Sequence, residues 1–361
     1  MTITKPRILF LYDFYTSFVK KDIDSLSKNF DVDVYHFKFK RKTGVLKAYF
    51  FQFFYLLLTG NKYDLYITQF AGHVSLFPSV FSKFFKTKSL ILVAGTDAAS
   101  LPDIKYGNKQ RFFQKIATSM SFRFCDFISP CHESLVEQEY TYDEMGAPKQ
   151  GYHVFYKSSR NKHHLSIPYG FNGDFFKRNH DVERKKMSFL TIGNLSVKTL
   201  FLRKGYDLII ELGRRVPNLS ITLVGAPKNY LLPNLPENIK LLPYLNHEEL
   251  INVFSEHQFY FQLSLMEGFP NALCEAMLCE CIPIGSNVSG IPEIINNTGF
   301  ILKKRKIEDL QKIIDSIPND SFALESLGQK SRQRILDNYS LTTREHLLSK
   351  LIHELISYQK T

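Results

Sequence analysis

The sequence predicts an α/β protein built from two doubly wound domains, each a parallel sheet with helices on both faces. Three observations carry this. Short apolar runs alternate with longer helical patterns, which is the rhythm of βαβ units. The rhythm stops at a polar, highly charged segment, 177–186 (KRNHDVERKK), and then starts again. A chain of 361 residues is also too long for a single core.

In order, the first half reads as strand Arg7–Leu11, helix Phe18–Asn29, strand Val32–Phe37, helix Val45–Leu58 and strand Asp64–Thr68. Helix Pro78–Phe85, strand Ser89–Val93, helix Gln110–Phe122 and strand Phe127–Ser129 follow. After the charged segment the alternation runs Phe189–Ile192, Gly205–Val216, Ser220–Val224, Ile239–Leu241, His247–Glu256, Phe259–Leu263, Asn271–Leu278 and Ile282–Gly285. The last segment, Thr342–Ser357, places Leu347, Leu348, Leu351, Ile352, Leu355 and Ile356 on one stripe of an amphipathic helix. The expected boundaries are 1–172, 173–340 and a terminal helix over 341–361. The facing strand ends of two such sheets are where ligands bind.

Composition narrows the function. The apolar fraction of 44% is that of an ordinary globular protein. No leader is expected, because Ile8–Leu11 is short and runs into Asp13. No apolar run reaches the ~20 residues needed to cross a bilayer. Five cysteines, an odd number without disulfide-like spacing, point to a reducing compartment and a cytoplasmic location. Cys274, Cys279 and Cys281 lie close together, but no His pairs with them, so a metal site is not expected there.

The net charge of +11 asks for an anionic partner. No nucleic-acid-binding signature appears, so nucleic acid is not the expected one. Between His36 and Lys62 stand Lys38, Lys40, Arg41, Lys42, Lys47 and Lys62, with no acidic residue before Asp64. Inside that window lies Val45–Leu58 (VLKAYFFQFFYLLL), too short to span a membrane and suited to an anionic leaflet, where each nearby cation contributes ~1 kcal/mol. The alternative is an ordinary buried helix whose basic flank is solvated. Periodicity does not choose, since the segment is apolar all round.

The densest chemical signal is 266–277 (MEGFPNALCEAM). Glu267 and Glu275 stand eight residues apart, separated by a Gly-Phe-Pro-Asn turn and the start of an apolar helix. The first amides of that helix have no intrahelical partner and lie at the positive end of its dipole, which makes an anion site. Two carboxylates beside an anion site suit a ligand carrying hydroxyls next to phosphate, as a nucleotide sugar does.

This segment resembles the E-x7-E signature of retaining glycosyltransferase family 4, whose members have the GT-B fold. Segments 167–176 (IPYGFNGDFF), 189–210 (FLTIGNLSVKTLFLRKGYDLII) and 282–295 (IPIGSNVSGIPEII) resemble the family in the same order. Weaker likeness extends to 7–11, 90–97 and 127–138. The resemblance implies an N-terminal acceptor domain, a C-terminal nucleotide-sugar domain and a last helix crossing back to the first. It assigns Lys204 to the donor phosphates, with Arg203 the nearest second cation, and Glu267 to the vicinity of the transferred sugar. Gly268, Phe269, Pro270 and Asn271 form the turn whose backbone approaches the sugar. Ala272 and Leu273 offer amides to phosphate, Glu275 accepts from the ribose hydroxyls, and Leu242-Pro243-Tyr244 fall where the base is held. Asp97, after a strand, either contacts ligand hydroxyls or forms a turn. His73 is the weaker candidate for the same region, and a capping role is preferred for Glu293.

Two departures stand out. Asn194 occupies the usual place of an Arg, for which Arg203 or Lys198 compensates, and the first strand–helix loop, 12–17 (YDFYTS), has no Gly. The reading is a retaining glycosyltransferase, peripheral on the inner face of the membrane. It moves a hexose-type sugar from a nucleoside-diphosphate sugar to a hydroxyl of a glycan or lipid-linked acceptor. No Asp-x-Asp motif stands at a strand end, so no metal is expected. The rivals are a GT-B sugar-nucleotide epimerase and a non-catalytic adaptor.

Overall fold

The computed structural model describes residues 5–39 and 44–357. Lys40, Arg41 and Lys42 of the expected basic flank lie outside the described residues. The chain separates into two units: 1–139 with 149–170 and 342–361, and 140–148 with 171–341.

In the first unit β1 (Arg7–Tyr12), α1 (Ser17–Asn29), β2 (Asp31–His36), α2 (Gly44–Thr59), β3 (Leu65–Gln69), α3 (His73–Phe84), β4 (Lys88–Val93), α4 (Phe112–Phe124) and β5 (Phe127–Pro130) follow one another. A two-residue ladder of β6 (Gln138–Glu139) with β7 (Lys149–Gln150), then α5 (Tyr152–Phe155) and β8 (His163–His164), complete it. The sheet runs β2-β1-β3-β4-β5-β8 and is parallel throughout. Its central strands β1, β3 and β4 are buried on both faces, whereas the edge strand β2 is partly exposed.

One face packs under α1 and the last helix, joining Ile8, Phe10, Val19 and Leu26 to Leu348, Leu351 and Ile352. That helix, Leu341–Ser357, is tied down by Arg344. Its guanidinium donates to both oxygens of Asp22 (2.7 and 2.6 Å) and to the carbonyls of Ile167 and Pro168 (2.9 Å each). The other face packs Leu9, Leu11 and Tyr66 against Ala48 and Leu56 of α2 and Val74 and Phe81 of α3.

The expectation for α2 is met on one side only. Ala48, Gln52 and Leu56 are buried, whereas Phe50, Phe54 and Leu58 are exposed, so the helix is buried along one side. Helix α3 starts five residues before its expected start at Pro78. Proline has no N–H to give the carbonyl four residues back, that of Val74. Gln52 Nε2 supplies the missing bond to Val74 O at 2.9 Å, from within the core.

The second unit runs β9 (Lys185–Ile192), α6 (Lys198–Arg203), α7 (Tyr206–Arg215), β10 (Ser220–Ala226), β11 (Ile239–Pro243), α8 (His247–Glu256), β12 (His257–Gln262), α9 (Asn271–Leu278), β13 (Ile282–Ser286), α10 (Ile291–Ile295), β14 (Phe300–Leu302), α11 (Ile307–Asp315) and α12 (Ser321–Asn338); the last helix of the first unit is α13. Its sheet, β11-β10-β9-β12-β13-β14, is again all parallel. The chain winds outward from β9 through β10 to β11, then returns to lay β12 on the other side of β9. The strand order therefore reverses between β9 and β12, and a ligand crevice opens beyond their C-terminal ends. The fold is GT-B. The charged segment 177–186 is loop up to Arg184, and its last two residues begin β9.

Candidate active site

The crevice of the second unit is assembled from the segments that leave β9 and β12. After β9 the chain turns at Asn194, whose Oδ1 accepts from the N–H and Oγ of Ser196 (2.9 and 2.8 Å). Asn194 is thus a turn former, which explains an uncharged, short side chain at this place. The chain then enters α6, a short helix that the sequence reading does not anticipate. It ends at Lys204, and Gly205, at φ 75°, redirects it into α7. A side chain at 205 would sit 2.3 Å from the carbonyl of Leu263, so only glycine lets α7 start this close to the end of β12. Leu265 N–H donates to Arg203 O (2.7 Å), and Arg203 Nη1 donates to Met266 O (2.9 Å). These bonds bring two cations beside the segment that carries Glu267.

Four groups converge on one oxygen, Oε1 of Glu267. They are Lys204 Nζ (2.7 Å), Arg203 Nη1 (3.0 Å), Ser264 Oγ (2.8 Å) and Gln262 Nε2 (3.2 Å). Burial would raise the pKa of this carboxyl, but Arg203 and Lys204 more than offset that and hold it at about 2. Burial, helped by Arg203, lowers the pKa of Lys204, against the pull of Glu267. The three groups together carry one net positive charge when all are ionised. Ser264 and Gln262 escape sequence reading; their signal is the alternation QLSL, which turns residues 262 and 264 to one side of a strand end.

Beyond Glu267, Gly268, Phe269 and Pro270 are buried, and Phe269 stacks on Phe171 (6.1 Å) and meets Tyr339 edge-on (5.2 Å). Only the backbone of this turn is left for a ligand. No side chain caps α9, so the first amides, from Asn271 through Ala272 and Leu273, have no capping group. Glu275 lies within α9 and is buried. Pro243 ends the edge strand β11, with Tyr244 exposed beside it. Lys198 is exposed at the start of α6, and Glu293 sits in the first turn of α10 without being its cap residue.

In the first unit the geometry favours the turn role for Asp97. The residue is fully buried, and its carboxylate accepts the N–H of Ala71 (3.0 Å), Gly95 (3.0 Å) and Ala94 (3.3 Å). Burial raises its pKa to about 6 against those bonds. Both oxygens of the Asp97 carboxylate are committed to backbone inside the fold, which is the turn-forming arrangement of the two alternatives. His73 is also structural: its Nδ1 lies 2.7 Å from the Tyr49 hydroxyl. The five cysteines are buried free thiols, and among the described residues no three His, Cys, Asp or Glu are grouped to hold a metal ion.

Residues 180–334 match the family model described as glycosyl transferases group 1. The chain is 30% identical over 154 residues to a human subunit of phosphatidylinositol N-acetylglucosaminyltransferase, a stretch covering 40% of this chain and 30% of that protein. The match thus spans about a third of the curated relative's length. Among solved structures, sucrose-phosphate synthase from Thermosynechococcus elongatus superposes with a TM-score of 0.75 at 14% identity, covering 98% of this chain and all of that one. HepE from Anabaena, in complex with UDP, superposes with a TM-score of 0.71 at 14% identity over 96% of this chain and all of that one.

Proposed function

We propose that this chain, whose residues 180–334 match the glycosyl transferases group 1 family model, transfers a sugar from a nucleoside-diphosphate sugar to a hydroxyl of a glycan or lipid-linked acceptor. The observation that carries the reading is the convergence of Arg203, Lys204 and Glu267 at the strand-order reversal between β9 and β12. With no ligand, the two cations neutralise Glu267. A diphosphate arriving beside them meets a net positive charge, and the uncapped start of α9 adds the positive end of a helix dipole. These groups stabilise the negative charge that grows on the departing diphosphate, without a metal. Glu275 holds the ribose and Pro243 lies against the base. The UDP complex of HepE, a protein of the same fold, supports a nucleotide ligand.

The sugar is transferred with retention, by front-face displacement. The bond from the anomeric carbon to phosphate oxygen breaks, the acceptor oxygen takes its place, and the freed phosphate oxygen receives the acceptor's proton. Acceptor recognition falls to the first unit. The lipid named in the human relative supports a lipid-linked acceptor. The exposed apolar side of α2 with its basic flank supports a peripheral position on an anionic membrane, at the inner face. No helix among the described residues is long and apolar enough to cross one.

Titration calorimetry with UDP and other nucleoside diphosphates tests the reading first, and product analysis of a donor panel in EDTA tests it further. Binding of a nucleoside diphosphate, with EDTA-resistant transfer that keeps the anomeric configuration, is expected. An absence of nucleotide binding removes the transferase reading, and a product epimerised without an acceptor replaces it.

A further inference from the structure

Helices α2, α3 and α4 pack side by side over one region of the first unit. Tyr49 and Gln52 of α2 bond His73 and Val74 of α3 (2.7 and 2.9 Å), and Ser75 of α3 bonds Ser121 of α4 (2.8 Å). The outward side of α2 exposes Phe50, Phe54 and Leu58. A second apolar cluster stands on the first turns of α4, where Phe112 and Phe113 are 71% and 77% exposed and Ile116 is also exposed. Two large rings in contact (5.4 Å), turned to solvent, are costly to keep unless something covers them.

Charge says what covers them. Residues 34–125 hold 14 Lys and Arg against three Asp and Glu, a surplus of 11 that equals the net charge of the whole chain. Of the three acids, Asp97 is buried and Asp64 accepts the N–H of Arg7 at 2.8 Å. From 104 to 125 there are five basic residues and no acidic one. Lys109, Arg111 and Lys115 bracket the two phenylalanines. Exposed aromatic rings framed by cations and free of acids match a bilayer with anionic headgroups.

Topology adds the orientation. Each of α2 and α4 follows a strand of a parallel sheet, so both helices begin at the C-terminal edge of that sheet. That edge is where ligands of doubly wound sheets bind. A lone helix lying on a surface is free to roll about its axis. A second contact on a different helix removes that freedom.

We propose that the start of α4, through Phe112 and Phe113 with Lys109, Arg111 and Lys115, is a second insertion point into an anionic bilayer. With α2 it fixes the first unit so that the C-terminal edge of its sheet faces the lipid. This rests on the membrane reading of α2 given above.

The chain contains no Trp, so a single introduced Trp reports its own surroundings alone. Phe54→Trp marks α2, Phe113→Trp marks α4, and Phe322→Trp, at an exposed position on α12 of the second unit, serves as control. Each variant is mixed with phosphatidylglycerol–phosphatidylcholine vesicles, with and without brominated acyl chains. Blue shift and bromine quenching are expected for the reporters at 54 and 113 and not for the one at 322, with both effects lost as salt rises. Phe112→Ser with Phe113→Ser should weaken vesicle partitioning about tenfold and leave UDP binding by the second unit unchanged. A response at 54 without one at 113 overturns the second contact and leaves α2 acting alone. No response at either position overturns the membrane reading and this proposal together.

Discussion

The first unit holds 26 Lys and Arg against 14 Asp and Glu, and the second holds 20 against 21, although both are built on six-stranded parallel sheets that differ only in strand order. In the second unit charge is gathered at the strand ends and closed on itself: Glu267 is met by two cations and two neutral donors before any ligand arrives. In the first unit the strand-end carboxylate Asp97 is committed to backbone amides, and the surplus charge falls within residues 34–125. One architecture, in two strand orders, therefore serves two kinds of recognition. A crevice that must strip and hold a small anion needs few, buried, mutually neutralising groups, because unpaired buried charge is costly. A surface that meets an extended anionic layer needs many exposed charges, each worth little alone.

The largest expected effect separates the two units by stability. Arg344→Ala leaves Asp22 buried with no cation, a change that typically costs ~3–5 kcal/mol. Calorimetry should show unfolding of the first unit moved well down, while UDP binding by the second unit survives. If the variant unfolds at the wild-type temperature, α13 is held by its apolar stripe alone.

Next comes the closed cluster. Lys204→Ala should weaken UDP binding by ~1.5–3 kcal/mol, the range for a charge-assisted contact. Unchanged affinity would move the phosphate contact to Arg203 or Lys198. Glu267 carries a pH signature. Its folded pKa of about 2 lies below the ordinary 4.5, so its ionised form stabilises the fold above about 4.5 and that contribution disappears as pH falls toward 2. The stability gap between wild type and Glu267→Gln should therefore close across that window. A gap that stays constant with pH rules out the two-cation account of this carboxylate.

These features differ in how far the sequence discloses them. The strands were legible because parallel strands buried on both faces read as unbroken apolar runs, and α8 and α9 fall on the expected residues, His247–Glu256 and Asn271–Leu278. Glu267 was singled out by spacing and Lys204 by resemblance, but their ion pair was not foreseen. Ser264 and Gln262 were not, because they join the site only when β12 ends beside Gly205. Asp97 looked equally fit for a ligand or a turn until three amides were seen to point at it. The start of α3 was hidden because a proline argues locally against a helix, and what permits it, Gln52, is 26 residues upstream in another helix.

That pairing gives a mid-sized test on the first unit. Gln52→Leu keeps the apolar packing of α2 and leaves Val74 O buried without its donor, a loss of ~1–3 kcal/mol. The additional substitution Pro78→Ala restores an N–H to the same carbonyl and should recover most of the loss. If Gln52→Leu is neutral, α3 tolerates its proline without help from α2.

The smallest effects per residue are those on the basic helical surface, and they decide whether the charge difference between the units matters for function. Lys109→Ser, Arg111→Ser and Lys115→Ser each remove one exposed cation near the proposed contact, worth ~1 kcal/mol at an anionic surface. No single change should move folding or nucleotide binding, since exposed charges contribute little to stability. All three together should lower co-sedimentation with phosphatidylglycerol vesicles by about two orders of magnitude in partition constant, at ~1.4 kcal/mol per decade. The loss should shrink as salt rises, because screening at a Debye length of ~8–10 Å already weakens the wild-type attraction. Three equivalent changes on the second unit, at Lys303, Lys304 and Lys306, provide the contrast. That unit is close to neutral overall, and its variant should sediment as wild type does. Equal losses from both sets would mean that vesicles respond to total charge alone, and that the concentration of basic residues within 34–125 has no directional role.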